Sequence, residues 1–171
     1  SVFKLSRKFQ MNHKVVDLRD IYLTTLRQLD SGNTSKFVTG NIKARLRMMM
    51  LYSIANTNNY LVVGTTNRSE IEVGYFTKYG DGGVDIEPLA QYYKTEVYTL
   101  AKELGVPDSI IKRTPTADLW EGQTDEVELG MNYKTLDKVL KFLEVQHDYD
   151  FFYEPDYYPE EMLTKRSPDI I

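Results

Sequence analysis

Leu61 to Leu119 reads LVVGTTNRSEIEVGYFTKYGDGGVDIEPLAQYYKTEVYTLAKELGVPDSIIKRTPTADL. It opens with an apolar run, Leu61-Val62-Val63, that breaks at Gly64. Thr65, Thr66, Asn67, Arg68 and the acid Glu70 follow. Next comes a basic, glycine-rich loop, Lys78-Tyr79-Gly80-Asp81-Gly82-Gly83, and then Asp85. A helical segment starts near Lys94, and the stretch closes on Pro115-Thr116-Ala117-Asp118-Leu119. Charged and hydroxyl side chains therefore cluster at loop positions after apolar runs. An open α/β sheet places its ligands there, outside the carboxyl ends of its strands.

Outward from this stretch, the pattern alternates. Tyr60–Gly64 is apolar throughout and reads as a strand buried on both faces. Lys14–Leu18 is short and β-branched and reads as a second parallel strand. Helices are expected over Ser1–Gln10, Asp20–Leu29, Asn41–Asn56, Glu70–Phe76, Tyr93–Leu104, Asp108–Lys112, Asp125–Met131 and Tyr133–Leu143. Asn41 serves as an N-cap, and Gly105 followed by Pro107 stops the helix before it. Ser31–Ser35 is a turn-rich loop. Strands alternating with helices imply an α/β fold with a parallel sheet. Two strands are few for a covered sheet. The chain also opens at Ser1 inside a helical pattern and ends at Ile171 without a stop signal. A piece of a longer protein, or a processed product, is the expectation.

At 171 residues, one domain with a sizeable core is expected. Hydrophobic content of 42% and charged content of 27% describe an ordinary soluble protein. A net charge of -4 argues against broad attraction to nucleic acid. The absence of cysteine excludes disulfides, zinc–thiolate sites and a thiol nucleophile. His13 and His147 are far apart in sequence, which disfavours a histidine metal site. No apolar run approaches the roughly 20 residues of a membrane helix, and no signal peptide is visible. The expected location is the cytoplasm.

The chemistry-bearing residues each admit two readings. Glu70, across a turn from Thr65, could hold Mg²⁺ together with phosphate oxygens, or be an acid favoured by a helix start. The Lys78–Asp85 loop could bring main-chain N–H groups to an anion, or be a surface turn. Lys43, Arg45 and Arg47 crowd the first turns of the Asn41 helix, either as a solvated face or to meet an anion. Lys94 at a helix start is disfavoured unless an anion sits nearby. Thr116 is a hydroxyl donor at a loop exit, or a turn-capping residue. With no thiol and no Ser-His-Asp order, positioning and electrostatics on phosphates are the expected chemistry.

The words GNIKARLRM (40–48), LVVGTTNRSE (61–70), GYFTKYGDGGVDIEPL (74–89), YKTEVYTLAKELGVP (93–107) and PTADLWEGQTDE (115–126) resemble the ammonia-dependent NAD synthetases. Those enzymes belong to the N-type ATP pyrophosphatases. The resemblance implies a Rossmann-like parallel sheet with helices on both faces, of the adenine nucleotide α hydrolase type. It implies ATP-dependent adenylation of deamido-NAD, then displacement of AMP by ammonia to give NAD. Matched position by position, Thr65, Lys94 and Thr116 fall on contacts to the co-substrate ATP. Arg45, Lys78 and Asp85 fall on contacts to deamido-NAD, and Glu70 falls on a Mg²⁺ ligand. A homodimer, with the dinucleotide near its interface, is also implied. Two departures stand out. The family's Ser-Gly-Gly-x-Asp-Ser loop is absent from residues 1–171, and its His-Lys-Arg closing stretch is reduced to Thr164-Lys165-Arg166. Residues 1–146 are accordingly read as a partial α/β domain lacking the N-terminal strand and loop. Residues 147–171 are read as a separate acidic, aromatic segment. Taken alone, this chain is expected not to turn over. The other functions considered are a different ATP pyrophosphatase-type amidotransferase and a non-catalytic remnant or interaction module.

Overall fold

The computed structural model describes residues 2–29 and 34–150, with backbone only for 146–150. The turn at 31–33 and the acidic aromatic segment beyond Asp150, with Lys165 and Arg166, lie outside the described residues.

Eight helices form among the described residues: α1 (Val2–Lys8), α2 (Arg19–Gln28), α3 (Lys36–Asn58), α4 (Arg68–Glu72), α5 (Lys94–Glu103), α6 (Asp108–Ile111), α7 (Asp125–Leu129) and α8 (Tyr133–Asp150). Each expected helix has a counterpart, but the one expected over Glu70–Phe76 is shifted: α4 starts at the Asn67 cap and ends at Glu72, with residues 73–76 outside it. α8 continues through residues 147–150, past the point where the sequence pattern fades. The stop after α5 is as read: Gly105 is left-handed at φ +72, a conformation glycine adopts without a Cβ penalty.

The two strands do not form as expected. Residues 11–18 are irregular, and Val15 is 75% exposed with no strand beside it among the described residues. Tyr60–Gly64 makes one isolated parallel bridge, Val63 to Ile86. Gly64 N–H donates to the Ile86 carbonyl at 2.8 Å, and Asp85 N–H to the Val62 carbonyl at 2.9 Å. Val62 is 5% exposed, whereas Leu61 is 65% exposed. The run is thus buried on one face and open on the other, not covered on both. A ladder needs consecutive paired residues, and among the described residues this run makes only the one bridge, to Ile86.

Helix α3 also begins earlier than the sequence suggests. Ser35 is its N-cap, with its side chain accepting from Val38 N–H. Asn41 sits inside the helix, where its Oδ1 accepts from the Thr77 hydroxyl at 2.8 Å. Gly40 resembles a helix break because it is glycine, but packing explains it. A Cβ there would lie 2.9 Å from the Trp120 ring. Trp120 also meets Phe37 edge-on, at 5.4 Å between ring centroids. Gly80 works the same way: a Cβ on it would be 2.9 Å from the Ala44 Cβ. The glycine-rich loop is therefore shaped to lie against α3.

Helices α4, α5 and α8 pack on one another. Tyr93, Tyr133 and Leu136 are buried between them, with Ala44, Ala55, Val62 and Leu119 closing the core on the α3 side. Gly40→Val should lower stability by about 1–3 kcal/mol through overpacking. Trp120 is the only tryptophan, so its fluorescence reports the site directly. An unchanged emission maximum together with unchanged denaturation would show that α3 does not seat on the ring.

Candidate functional site

Asn67 caps α4 and closes a reciprocal pair with Glu70. The Asn67 side chain accepts from Glu70 N–H at 3.1 Å, and Glu70 Oε2 accepts from Asn67 N–H at 3.0 Å. This capping box fixes the Glu70 side chain and leaves Oε1 facing α5. There Lys94, the first residue of α5, places its ammonium 2.9 Å from Oε1. The Lys94 ammonium also lies 4.8 Å from the centre of the Tyr133 ring. The anion that a cation at a helix start requires is therefore Glu70.

Behind this pair lies a network of carboxylates and phenols. The Tyr133 hydroxyl is 3.0 Å from Asp125 Oδ2 and 3.3 Å from Glu70 Oε1. The Tyr75 hydroxyl is 2.6 Å from Glu128 Oε2 and 3.3 Å from Asp125 Oδ1. Burial, reinforced by these acids, pushes both phenols well above the ordinary tyrosine range. Burial also raises the Asp125 carboxyl, against the lowering pull of the Tyr133 hydrogen bond and the Lys94 charge. At the rim of α5 and α8, Tyr93 donates to Glu144 at 2.8 Å, and Arg68 lies 4.9 Å from the Tyr93 ring centre. Tyr93 is pushed up to about 12, chiefly by burial and then by the Glu144 bond.

The other expected residues sit around α3. Arg45 Nε donates to the Lys78 carbonyl at 3.2 Å, so those two residues meet. Arg47 reaches the Ala117 and Asp118 carbonyls at 3.4 and 3.3 Å, and Lys43 reaches the Leu119 carbonyl. These cations are not in the first turns of α3, so the expected conflict with the helix dipole does not arise. Lys43 and Arg47 instead hold the Pro115–Leu119 loop through its carbonyls. In that loop, the Thr116 hydroxyl accepts from Asp118 N–H at 3.0 Å, which is a turn-capping contact. Asp85 accepts from Val62 N–H at 2.7 Å and from the Tyr52 hydroxyl at 3.0 Å. Thr65 is exposed. It lies between Gly64, against which the Glu87 carboxylate packs, and Thr66, whose N–H donates to Glu87 at 3.1 Å.

The structure thus joins Glu70 to Lys94 and Arg45 to Lys78. It draws Thr116 to α3 through its loop, and leaves Thr65 without a side-chain hydrogen bond among the described residues. Sequence reading did not single out Ser69, Tyr75, Asp125, Tyr133 or Asp137. Asp137 carried a usable signal: it falls on the apolar stripe of α8 with Tyr133, Leu136 and Leu140. Among the described residues no cluster of three or more acids or histidines could hold a metal unaided. No described helix is long and apolar enough to cross a membrane.

The chain belongs to the NAD synthase family, whose model matches residues 1–165. It is 51% identical over 141 residues to an NH3-dependent NAD+ synthetase of Methanococcoides burtonii, covering 81% of this chain and 53% of that protein. The chain spans about half the length of the curated relatives it matches. Among solved structures, it superposes on an NMN synthetase from Francisella tularensis with a TM-score of 0.77 at 41% identity, covering 81% of this chain and 58% of that one. It also superposes on an NH3-dependent NAD synthetase from Campylobacter jejuni in complex with nitrate, with a TM-score of 0.69 at 31% identity, covering 87% and 57%.

The raised carboxyl of Asp125 has a stability consequence. The folded protein holds this proton more tightly than the unfolded chain does. Its favourable contribution is complete below the ordinary value of 3.8 and declines as pH rises through the higher folded value. Asp125→Asn removes that decline. Relative to the natural protein, the variant should therefore gain stability between pH 4 and pH 7. Urea denaturation at the two pH values checks this, and a stability difference that does not vary with pH would contradict it.

Proposed function

We propose that this chain carries part of the catalytic machinery of an NAD synthetase. The reaction is ATP-dependent adenylation of deamido-NAD followed by amidation with ammonia. One observation carries the reading: the Lys94–Glu70 pair, 2.9 Å apart, held between a capping box and a helix start. In the proposed reaction, a nicotinate carboxylate oxygen attacks the α-phosphorus of ATP. The bond from that phosphorus to the bridging oxygen breaks, and pyrophosphate leaves. Ammonia then attacks the acyl carbon, the acyl–oxygen bond breaks with loss of AMP, and the amide nitrogen sheds its extra proton. Adenylation is needed because a free carboxylate is a poor electrophile.

This chain's residues supply binding and orientation. Lys94 offers its ammonium to the polyphosphate, and Thr65 and Thr116 offer hydroxyls to the nucleotide. Arg45, Lys78 and Asp85 bracket deamido-NAD. Glu70 fits Mg²⁺ binding in the one-carboxylate pattern, with phosphate oxygens completing the set. The capping box already anchors Oε2 and turns Oε1 toward the cation. When bound there, Mg²⁺ would neutralise charge on the departing pyrophosphate.

The same reading includes a Rossmann-like parallel sheet with helices on both faces, which the Val63–Ile86 parallel bridge supports. It further includes a cytoplasmic homodimer. The similarity to the Francisella NMN synthetase favours a second reading, in which a smaller mononucleotide acid replaces deamido-NAD. Offering deamido-NAD and nicotinate mononucleotide in turn, with ATP and ammonium, and measuring pyrophosphate and amide, separates the two. No ATP-dependent amidation of either by the intact enzyme would refute both readings.

Glu70→Gln keeps the cap, since glutamine also serves in a capping box, but it removes the charge. Turnover should fall on the order of a hundredfold or more with the fold intact. Near-normal turnover at saturating Mg²⁺ would rule the assignment out. Lys78→Ala should weaken deamido-NAD binding by roughly ten- to hundredfold, for about 1.5–3 kcal/mol from one charged hydrogen bond. ATP affinity should stay nearly constant, as titration calorimetry with each ligand would report.

A further inference from the structure

Asp137 is 2% exposed on the inner face of α8. An ionised carboxylate is almost never that buried unless it is paired. Its partners are not cations. Oδ1 accepts from the Ser69 hydroxyl at 2.6 Å, and Oδ2 accepts from Thr95 N–H at 2.8 Å. Ser69, itself fully buried, accepts in turn from Lys94 N–H at 2.8 Å. The two N–H groups that open α5 are thus satisfied from α8, directly by Asp137 and through Ser69. Their positive end stabilises the buried charge.

These bonds end one peptide away from the paired side chains. Ser69 precedes Glu70, and the N–H groups belong to Lys94 and its neighbour. We propose that Asp137 is a positioning residue for ATP: its carboxylate fixes the α4 and α5 backbones from which Glu70 and Lys94 reach the nucleotide. This rests on the assignment of Lys94 to ATP made above. An apolar residue could have joined α8 to α5 without the cost of burying a charge. Such a residue would not fix the direction of the α5 start. Two exposed ion pairs, Lys141–Glu96 at 2.5 Å and Arg68–Glu144 at 2.8 Å, already tie the helices together at the rim.

The test is a double-mutant comparison in the intact enzyme, with Asp137→Asn, Lys94→Ala and their combination. KM for ATP, KM for deamido-NAD and thermal unfolding are measured for each. Asp137→Asn should raise KM for ATP about tenfold, a coupling of the size seen between neighbouring groups. KM for deamido-NAD should stay within about twofold of the natural enzyme, and so should both constants in the rim variant Lys141→Ala. In the Lys94→Ala background, Asp137→Asn should add nothing further to KM for ATP. Equal rises in both constants, or additive effects of the two substitutions, would overturn the positioning role alone. Lys94→Ala with an unchanged KM for ATP would overturn the ATP assignment, and this proposal with it. Should Asp137→Asn not fold, Ser69→Ala decides by the same comparison, because it removes the bridge to Lys94 and leaves the acid in place.

Discussion

Helix α5 begins with a lysine. Its first turn carries free N–H groups and an ammonium together, and both are positive. Three carboxylates converge on that end. Asp137 accepts from Thr95 N–H, Glu96 accepts from Tyr93 N–H, and Glu70 pairs with the Lys94 side chain. They come from α8, α5 and α4 respectively, so satisfying one helix end locks three helices together. The packing of Tyr93 and Tyr133 between them follows from that lock. It also holds Glu70 in place before any ligand arrives.

A similar economy governs the α3 side. Basic side chains of α3 hold backbone carbonyls of the Pro115–Leu119 loop and of Lys78. An arginine that binds a carbonyl keeps its charge, because the carbonyl neutralises only part of it. The face therefore stays electropositive while its loops stay fixed. That combination is consistent with the deamido-NAD contacts proposed above for Arg45 and Lys78.

Helices were legible because their signals are local. Apolar spacing marked the long helices such as α2 and α3, and Gly105 marked the end of α5. Strands were not legible in the same way, because a strand exists only through its partner. Val15 and Val16 have strand propensity but nothing described beside them to pair with, and Leu61-Val62-Val63 finds one bridge. The start of α3 was misread because Asn41 is a favoured capping residue type, whereas it lies inside the helix and bonds Thr77, a contact distant in sequence. In the site, Glu70 was legible as an acid after a turn and Lys94 as a cation needing a nearby anion, but the sequence did not pair them; the structure does. Tyr75 and Asp125 were not, since they lie in a turn and at a helix start where no period marks them. Their role comes from a contact across 50 residues.

The pairing of Glu70 with Lys94 has a consequence for the proposed chemistry. With Lys94 on Oε1, the carboxylate and the ammonium cancel much of each other's field. A bound polyphosphate with its cation would satisfy both at once, drawing the ammonium to phosphate and the carboxylate to metal. Neither charge is then exposed unpaired at low dielectric, where an isolated charge is most costly. Tyr133 suits that exchange. Its hydroxyl lies within reach of both Glu70 and Asp125, so its proton can turn to Asp125 when Glu70 is engaged elsewhere. The buried network behind the pair would thus remain satisfied in both states, which is the condition for exchanging partners without unfolding the helix starts that carry them.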